Sequence, residues 1–338
     1  MSSAPTPQEI WNDARWLAQA VDPNAGLVRL VEMTPDAYRE ESFLDDRVLQ
    51  PTREAHLLDW NGIAAARPEA ARSDARWIFH IGHVGSTLVS RLLGELDGVF
   101  SIREPRALRD LTFFPRDVRD RFVPTVRALM SRTFDGGQTA VVKATSMVSE
   151  IADELIGDHG RALFLFVPPT VYLQTILAGD RSRAELQTLA AFYSARAKTQ
   201  GISWVEDSQG PANVAALVWA CEMVALEEAA ANVRADCVLW RDFDVVLQEP
   251  EAELKGIVSF LRLPAEDDRV AEIARGPLMS RYSKAPEHEF GPEVRRQQLD
   301  GAAAKHGPDI QTALAMLELA AEKAPVLARA LNRSTKDR

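Results

Sequence analysis

A turn at residues 82–87 carries side chains and backbone groups suited to holding an anion. The turn follows the apolar run "WIFHI" and precedes the amphipathic stretch "STLVSRLLGEL", which predicts a helix. Its six residues are Gly82, His83, Val84, Gly85, Ser86 and Thr87. Glycines permit close approach of the backbone to a ligand, and successive N–H groups at a helix N-terminus favour negative charge there. The turn therefore predicts an anion-binding loop, to which the two hydroxyl groups add donors.

The loop lacks what chemistry on a nucleoside triphosphate with magnesium needs. The GxxxxGK[ST] pattern places a lysine before the hydroxyl residue, but here the two glycines are three apart and Gly85 precedes Ser86 directly. The apolar runs "AVVK" and "LFLFVPP" end without an aspartate that would hold magnesium. Lys143 stands at the end of the first run, where ligands gather in open α/β sheets. His80 and His83 have no third ligand nearby, so we predict no metal site.

Composition excludes several classes of protein. The chain has 338 residues and a formal net charge of −10, which argues against nonspecific binding of nucleic acid or an anionic membrane. No apolar run reaches the roughly 18 residues of a membrane helix, and the N-terminus shows no secretory signal. Cys221 and Cys237 form no disulfide framework or metal spacing, so we expect both to be buried in a cytoplasmic protein.

Alternation of short apolar runs with helical stretches predicts an α/β fold. The runs 77–81, 139–144, 161–167 and 236–240 suit a central parallel sheet covered on both faces, in a three-layer α/β/α arrangement. Long helices are predicted at 183–200 and 211–234, and another from Pro250 to a stop at Pro264.

The sequence also predicts that the chain is divided into three regions. Residues 1–70 are helix-prone and punctuated by prolines, and they predict a helical N-terminal arm packed on the core. Residues 71–265 hold the anion loop and the predicted sheet. Residues 266–338 predict a loop followed by a helical C-terminal extension packed on the core, with a helix from Pro308 to Leu331.

Five segments of the chain, in the same order along the sequence, resemble segments of the P-loop sulfotransferases. The chain is similar to a divergent member of this family, of the bacterial type. These enzymes move a sulfuryl group from 3′-phosphoadenosine 5′-phosphosulfate (PAPS) to an acceptor. The resemblance covers residues 77 to about 265. The segments are "FHIGHVGSTLVSRLL", "SIREPRAL", "VVKAT", "RALFLFVPPTVYLQTI" and "CVLWRDFDVVLQEPEAELKGIVSFLRLP".

The resemblance implies a role for each part of the site. The loop would bind the 5′-phosphosulfate, Lys143 would meet charge on the leaving oxygen, and Glu104 would be the base for an acceptor hydroxyl or amine. His83 stands where the family usually has a lysine or arginine, so it either replaces that cation or, if neutral, acts as the base in place of Glu104.

The segment for the 3′-phosphate departs from the family pattern. Its arginine-aspartate-proline is replaced by Val167, Pro168 and Pro169, and Thr175 stands at the serine position. Either another cation meets the 3′-phosphate, or the protein has lost the usual donor. Residues of one later loop are the candidates for that task, namely Arg281, Ser283 and Lys284.

We therefore predict a sulfotransferase-like enzyme that uses PAPS without a metal and acts on an unidentified small-molecule, glycan or lipid acceptor. Two alternatives remain. One is a non-catalytic protein that binds an adenine nucleotide or a partner on the same fold, and the other is a kinase-like phosphotransferase. The sequence indicates neither the acceptor nor the oligomeric state.

Overall fold

The computed structural model describes residues 3–158, 160–204, 210–280 and 291–336. The strands in chain order are β1 (Trp16–Asp22), β2 (Leu27–Glu32), β3 (Ala55–Asp59), β4 (Arg76–His80), β5 (Val99–Arg103), β6 (Thr139–Lys143), β7 (Arg161–Phe166) and β8 (Val238–Asp242). The helices in chain order are α1 (Pro7–Asn12), α2 (Pro35–Glu40), α3 (Trp60–Ala65), α4 (Ser86–Gly94), α5 (Arg106–Thr112), α6 (Arg116–Met130), α7 (Ala152–Ile156), α8 (Pro169–Ala178), α9 (Asp180–Thr199), α10 (Pro211–Asn232), α11 (Phe243–Gln248), α12 (Pro250–Leu261), α13 (Asp267–Ala274), α14 (Pro292–Ala321) and α15 (Pro325–Lys336).

A five-stranded parallel sheet forms the centre of the fold, in the order β5-β6-β4-β7-β8. Helices flank this sheet, so its inner strands are buried and read as apolar runs rather than as an alternation. The predicted α/β class with a central parallel sheet is confirmed. Strand β4 lies in the middle, with Ile78 beside Lys143 of β6 on one side and Leu163 of β7 on the other. The anion loop therefore leaves the sheet at the centre of its C-terminal edge.

Strand β5 (Val99–Arg103) was not among the predicted strands. It pairs in parallel with β6 at the edge of the sheet, and Arg103 lies beside Lys143 in that register. Because the following residue is Glu104, this strand brings the predicted base to the end of the strand that carries Lys143.

The N-terminal region contains an antiparallel sheet, so the prediction of a helical arm over residues 1–70 is wrong. Strands β1, β2 and β3 pair in that order, and helices α1, α2 and α3 are only six residues long each. Strand β1 is buried over its first six residues because helix α5 packs against it. Burial on both faces removes the alternation of apolar and polar residues that marks a half-buried strand.

Two arginines of the core bind backbone carbonyls of this N-terminal region. Arg103 of β5 is 2% exposed, and its guanidinium donates hydrogen bonds to the carbonyl oxygens of Tyr38, Arg39 and Glu41. Burial lowers the pKa of this guanidinium to about 10. Arg132, which follows α6, donates to the carbonyls of Asp13 and Trp16 at 2.9 and 2.7 Å. The N-terminal region is thereby attached to the core by hydrogen bonds as well as by apolar contacts.

Helices form most of the chain after the sheet. The long predicted helices correspond to α9 and α10, and the C-terminal tail is helical as α14 and α15, with non-helical torsions at His306 just before Pro308. Cys221 and Cys237 are both free and buried, as predicted. Among the residues that the structure describes, no helix is long and apolar enough to cross a membrane.

Candidate functional site

The anion loop follows β4 and has three residues with left-handed backbone torsions. The φ angles of Gly82, His83 and Gly85 are 81°, 53° and 64°. Within the described ranges, the backbone N–H groups of Gly85, Ser86 and Thr87 donate to no other residue. Because they belong to the loop and to the first turn of α4, they provide donors and a positive helix end for an anion.

Two features require a glycine at position 85, namely its left-handed backbone torsions and the close approach of the Phe243 ring. An added Cβ at this position would lie 1.8 Å from Cζ of Phe243, the first residue of α11. The phenyl ring is 1% exposed and covers the loop from the end of strand β8. Any side chain at position 85 would therefore displace this ring. At Gly82, by contrast, an added Cβ would make only ordinary contact with Ser146 Oγ, at 3.5 Å.

The two hydroxyl residues of the loop are buried at the start of α4. Ser86 is 5% exposed and Thr87 is 1% exposed. The buried Oγ1 of Thr87 has no hydrogen-bond partner among the described residues. A buried hydroxyl without a partner is costly, and an anionic oxygen in the loop would satisfy it. The donors present therefore fit a phosphate or phosphosulfate group.

A buried lysine and a carboxylate meet beside the loop. Lys143 is the last residue of β6, and its Nζ contacts Oε1 of Glu104, which follows β5. The two side chains are 1% and 13% exposed. Glu104 adopts φ 53° and its backbone N–H donates to the carbonyl of Lys143 at 2.7 Å. The second carboxylate oxygen lies 4.0 Å from Nη2 of Arg47. The structure thus pairs the two residues to which we assign the leaving-group charge and the acceptor proton.

The two histidines of the loop region have different surroundings. His80, the last residue of β4, is 4% exposed, and its Nδ1 accepts a hydrogen bond from the N–H of Gly82 at 3.0 Å. It acts as a buried structural group, and its bond fixes the start of the loop. His83 lies within the loop and is partly buried. Its role as a cation or a base stays a prediction.

The residues predicted for the 3′-phosphate are not brought together among the described positions. Thr175 Oγ1 donates to the carbonyl of Val171 one turn back in α8, at 2.8 Å. Val167 is fully buried, and its carbonyl accepts from Nε1 of Trp219 at 2.9 Å. Arg281, Ser283 and Lys284 lie outside the described residues.

Arg295 of α14 is a buried cation that the sequence analysis missed. It is 8% exposed, and its Nε donates to Oδ1 of Asp244 at 2.8 Å. The guanidinium carbon lies 5.4 Å from the ring centroid of Phe243, the ring that covers Gly85. Nη2 of Arg295 is buried and has no hydrogen-bond partner among the described residues. No pattern in "PEVRRQQ" marks this arginine, because its burial depends on α14 meeting the end of strand β8.

Together, the fold and the site define an α/β protein with a phosphate-type loop at the C-terminal edge of a parallel sheet. The loop offers backbone donors and hydroxyl groups, and a lysine–glutamate pair lies on the neighbouring strands. Over the described part of the chain, no group of three or more His, Cys, Asp or Glu side chains could hold a metal ion.

Solved structures that resemble this chain are sulfotransferases. The sulfotransferase domain from the curacin biosynthetic pathway is 12% identical, with 69% of this chain and 97% of that chain covered and a TM-score of 0.42. The sulfotransferase domain from the Synechococcus PCC 7002 olefin synthase is 14% identical, with 71% and 97% covered and a TM-score of 0.43. Mouse sulfotransferase SULT7A1, complexed with PAP, is 13% identical, with 78% and 89% covered and a TM-score of 0.43. No protein-family model and no curated protein matches the chain.

Proposed function

We propose that this protein is a sulfotransferase-like enzyme that transfers a sulfuryl group from PAPS to a hydroxyl or amine acceptor. The observation that carries the proposal is the contact between Lys143 and Glu104 at the strand ends beside the anion loop. A cation for the leaving group and a carboxylate for the acceptor proton are the two charged groups that this transfer requires. Lys143 is buried and Glu104 is partly buried, so the transfer would take place largely away from bulk water.

The loop would hold the phosphosulfate end of the donor. The N–H groups of Gly85, Ser86 and Thr87 and the two hydroxyls would donate to its anionic oxygens, as would a protonated His83. Gly82 and Val84 would contribute backbone to the same cradle. When the donor binds, its phosphate gives the Lys143 ammonium a second anionic partner, which loosens its hold on Glu104 and exposes the carboxylate to the acceptor.

The transfer exchanges the sulfur–oxygen bond of the donor for a bond from sulfur to the acceptor. The acceptor oxygen or nitrogen forms a bond to sulfur while the bond from sulfur to the bridging oxygen of the 5′-phosphate breaks. The acceptor proton passes to the carboxylate of Glu104. The released phosphate oxygen takes the electron pair, and its negative charge is met by Lys143 and the loop donors. The products are a sulfated acceptor and 3′-phosphoadenosine 5′-phosphate (PAP).

Arg295 is our candidate for the cation that meets the 3′-phosphate. Its buried Nη2 has no hydrogen-bond partner among the described residues, and its guanidinium lies against the Phe243 ring that covers Gly85. Asp244 holds the guanidinium in place through Nε. Arg281, Ser283, Lys284 and Thr175 remain further predictions for the same group.

Titration calorimetry with PAP, and separately with ATP and Mg²⁺, tests the nucleotide site. We expect PAP to bind without metal and Ser86→Ala to weaken it by about tenfold, because a hydrogen bond to a charged group is lost. Ser194→Ala is the matched control, since that exposed serine donates only to the carbonyl of Ala190. Absence of PAP binding, or ATP binding that depends on Mg²⁺, would contradict the proposal.

Transfer is then measured with sulfur-labelled PAPS against small-molecule, glycan and lipid acceptors. Labelled product supports the enzyme, and we expect Lys143→Ala to abolish it. PAP binding without labelled product from any acceptor class would favour a non-catalytic nucleotide-binding protein.

Since Cys221 and Cys237 are both free, we also propose a reducing, cytoplasmic location.

A further inference from the structure

A groove of about 360 Å³ lies between helix α5 and the N-terminal antiparallel sheet. This volume is at the lower end of the range for small-molecule sites. Most of its lining side chains are apolar, and they come from strands β1, β2 and β3 and from the end of α5. The apolar side chains that matter here are Val21, Leu27, Leu57, Phe113 and Phe114.

Two of these side chains are unusually exposed for their size. Leu57 is 69% exposed and Phe113 is 59% exposed, which makes them the two most exposed large hydrophobic side chains in the described part of the chain. Exposed apolar side chains that face one another across a groove mark a surface that a ligand or partner covers. An apolar ligand here would remove both from water.

The groove lies next to the predicted base. Arg106, the first residue of α5, lines both the groove and a small cleft that contains Glu104, Asp45 and Arg109. Helix α5 is seven residues long, so about 10 Å separate the cleft at its start from Phe113 just beyond its end. If the reactive group of a molecule about 10 Å long lies at Glu104, the remainder of that molecule would therefore reach the groove.

The charges at the groove leave no excess of cations, which limits the chemistry of its occupant. Arg106 contacts Asp46 at 2.5 Å and Asp110 at 3.0 Å, and Arg29 contacts Asp46 at 2.7 Å. Two guanidinium groups thus face two carboxylates, and Asp22 adds a third carboxylate to the lining. A strongly anionic body such as a phosphorylated or sulfated glycan would gain little here, whereas an uncharged apolar body would gain from burial.

We propose that the acceptor is an amphiphilic alcohol or amine, with its nucleophilic group at Glu104 and its uncharged apolar body in the groove between α5 and the antiparallel sheet. This inference rests on the proposed sulfuryl transfer. The sulfuryl group and the acceptor proton move as described for that transfer. The groove determines only which acceptor binds.

Binding of the neutral fluorescent probe N-phenyl-1-naphthylamine, with 1-decanol as competitor, tests the groove without requiring activity. We expect one probe site, displaced by 1-decanol, and a dissociation constant raised about fivefold in Leu57→Ser and in Phe113→Ser, because apolar contact area is lost. Leu319→Ser is the matched control, since that leucine of α14 is 58% exposed and lies outside the groove. Absence of probe binding, or the same change in the control as in Leu57→Ser, would overturn the inference.

Calorimetry with PAP on the same variants separates this inference from the proposed function. PAP affinity should be the same in Leu57→Ser as in the unaltered protein. If PAP fails to bind the unaltered protein, the proposed function fails. If PAP binds but the probe binds the groove variants as tightly as the unaltered protein, only the acceptor inference fails.

The transfer assay tests the groove with primary alcohols of increasing length. We expect kcat/KM to rise by about fourfold per methylene from butanol to octanol, and this rise to be smaller in Leu57→Ser. A flat series in the unaltered protein would also overturn the inference.

Discussion

Replacement of Gly85 by alanine perturbs the anion loop in two separable ways. The φ angle of 64° places alanine in the left-handed region, at a cost of about 1–2 kcal/mol. The new Cβ would also lie 1.8 Å from Cζ of Phe243, so the buried ring must move, which adds about 1–3 kcal/mol. The loss of glycine's freedom in the unfolded chain returns about 0.4–1 kcal/mol. We expect Gly85→Ala to lower the free energy of unfolding by about 1–5 kcal/mol.

Two other glycines separate the torsional cost from the steric one. Gly26 has φ 66° and an added Cβ there has no neighbour within 4 Å, so Gly26→Ala carries the torsional cost alone. Gly82 has φ 81° and an added Cβ at ordinary contact distance. Both variants should lose about 1 kcal/mol or less, since the gain from the unfolded state offsets part of the torsional cost.

Urea unfolding followed by tryptophan fluorescence measures these differences. In the Phe243→Ala background the steric cost is absent, so a double-mutant cycle should show a coupling of about 1–3 kcal/mol between positions 85 and 243. PAP affinity should fall in Gly85→Ala and be unchanged in Gly26→Ala. A Gly85→Ala protein as stable as Gly26→Ala would refute the contact between the ring and the loop.

Four further outcomes follow from the site and the core. Thr87→Val should change the free energy of unfolding by less than about 1 kcal/mol, because no hydrogen bond within the described structure is lost, yet weaken PAP in calorimetry; unchanged PAP affinity would remove Thr87 from the site. Glu104→Gln should lower the transfer rate by about 10²–10⁴-fold without weakening PAP binding, since the glutamine no longer competes as an anion for Lys143, and equal rates would exclude Glu104 as the base. Arg295→Met should raise the PAP dissociation constant by about tenfold or more, and no change in calorimetry would contradict its assignment to the 3′-phosphate. Burial raises the pKa of the Cys221 thiol from 9.0 to about 12, so iodoacetamide should label it only after unfolding, and the stability it contributes below pH 9 should be lost as the pH rises through about 12; rapid labelling of the native protein would contradict this burial.

The central sheet could be predicted from the sequence because its strands are buried on both faces and therefore appear as short, continuous apolar runs. The runs around Ile78, Val142 and Leu163 are apolar and short, and helical stretches with their own apolar period lie between them. The N-terminal sheet was missed because its strands do not alternate clearly. Strand β1 is covered by α5, so it has no polar face. In β3 the burial alternates, but Leu57 lies on the exposed face, so the residue types do not alternate between apolar and polar.

The candidate site was predictable where its parts are close to a glycine or a strand end. Gly85 and Lys143 could be assigned because turns and strand ends have fixed geometry. Their side-chain partners were not predictable, because the contact of Lys143 with Glu104 depends on the register of β5 beside β6. Arg295 and Phe243 meet only through the packing of two distant segments, which no local spacing encodes.

The hydrogen bonds of Arg103 and Arg132 determine where this chain can be cut. A shortened protein that begins near residue 71 would lose the carbonyl acceptors that Tyr38, Glu41 and Trp16 provide to these guanidinium groups. The cut would also expose to water the apolar surface of α5 that strand β1 covers, and α5 begins two residues after Glu104. Residues 1–70 are thus not a module that can be deleted or exchanged by itself. Any chimera must carry the acceptor segment and its arginines together.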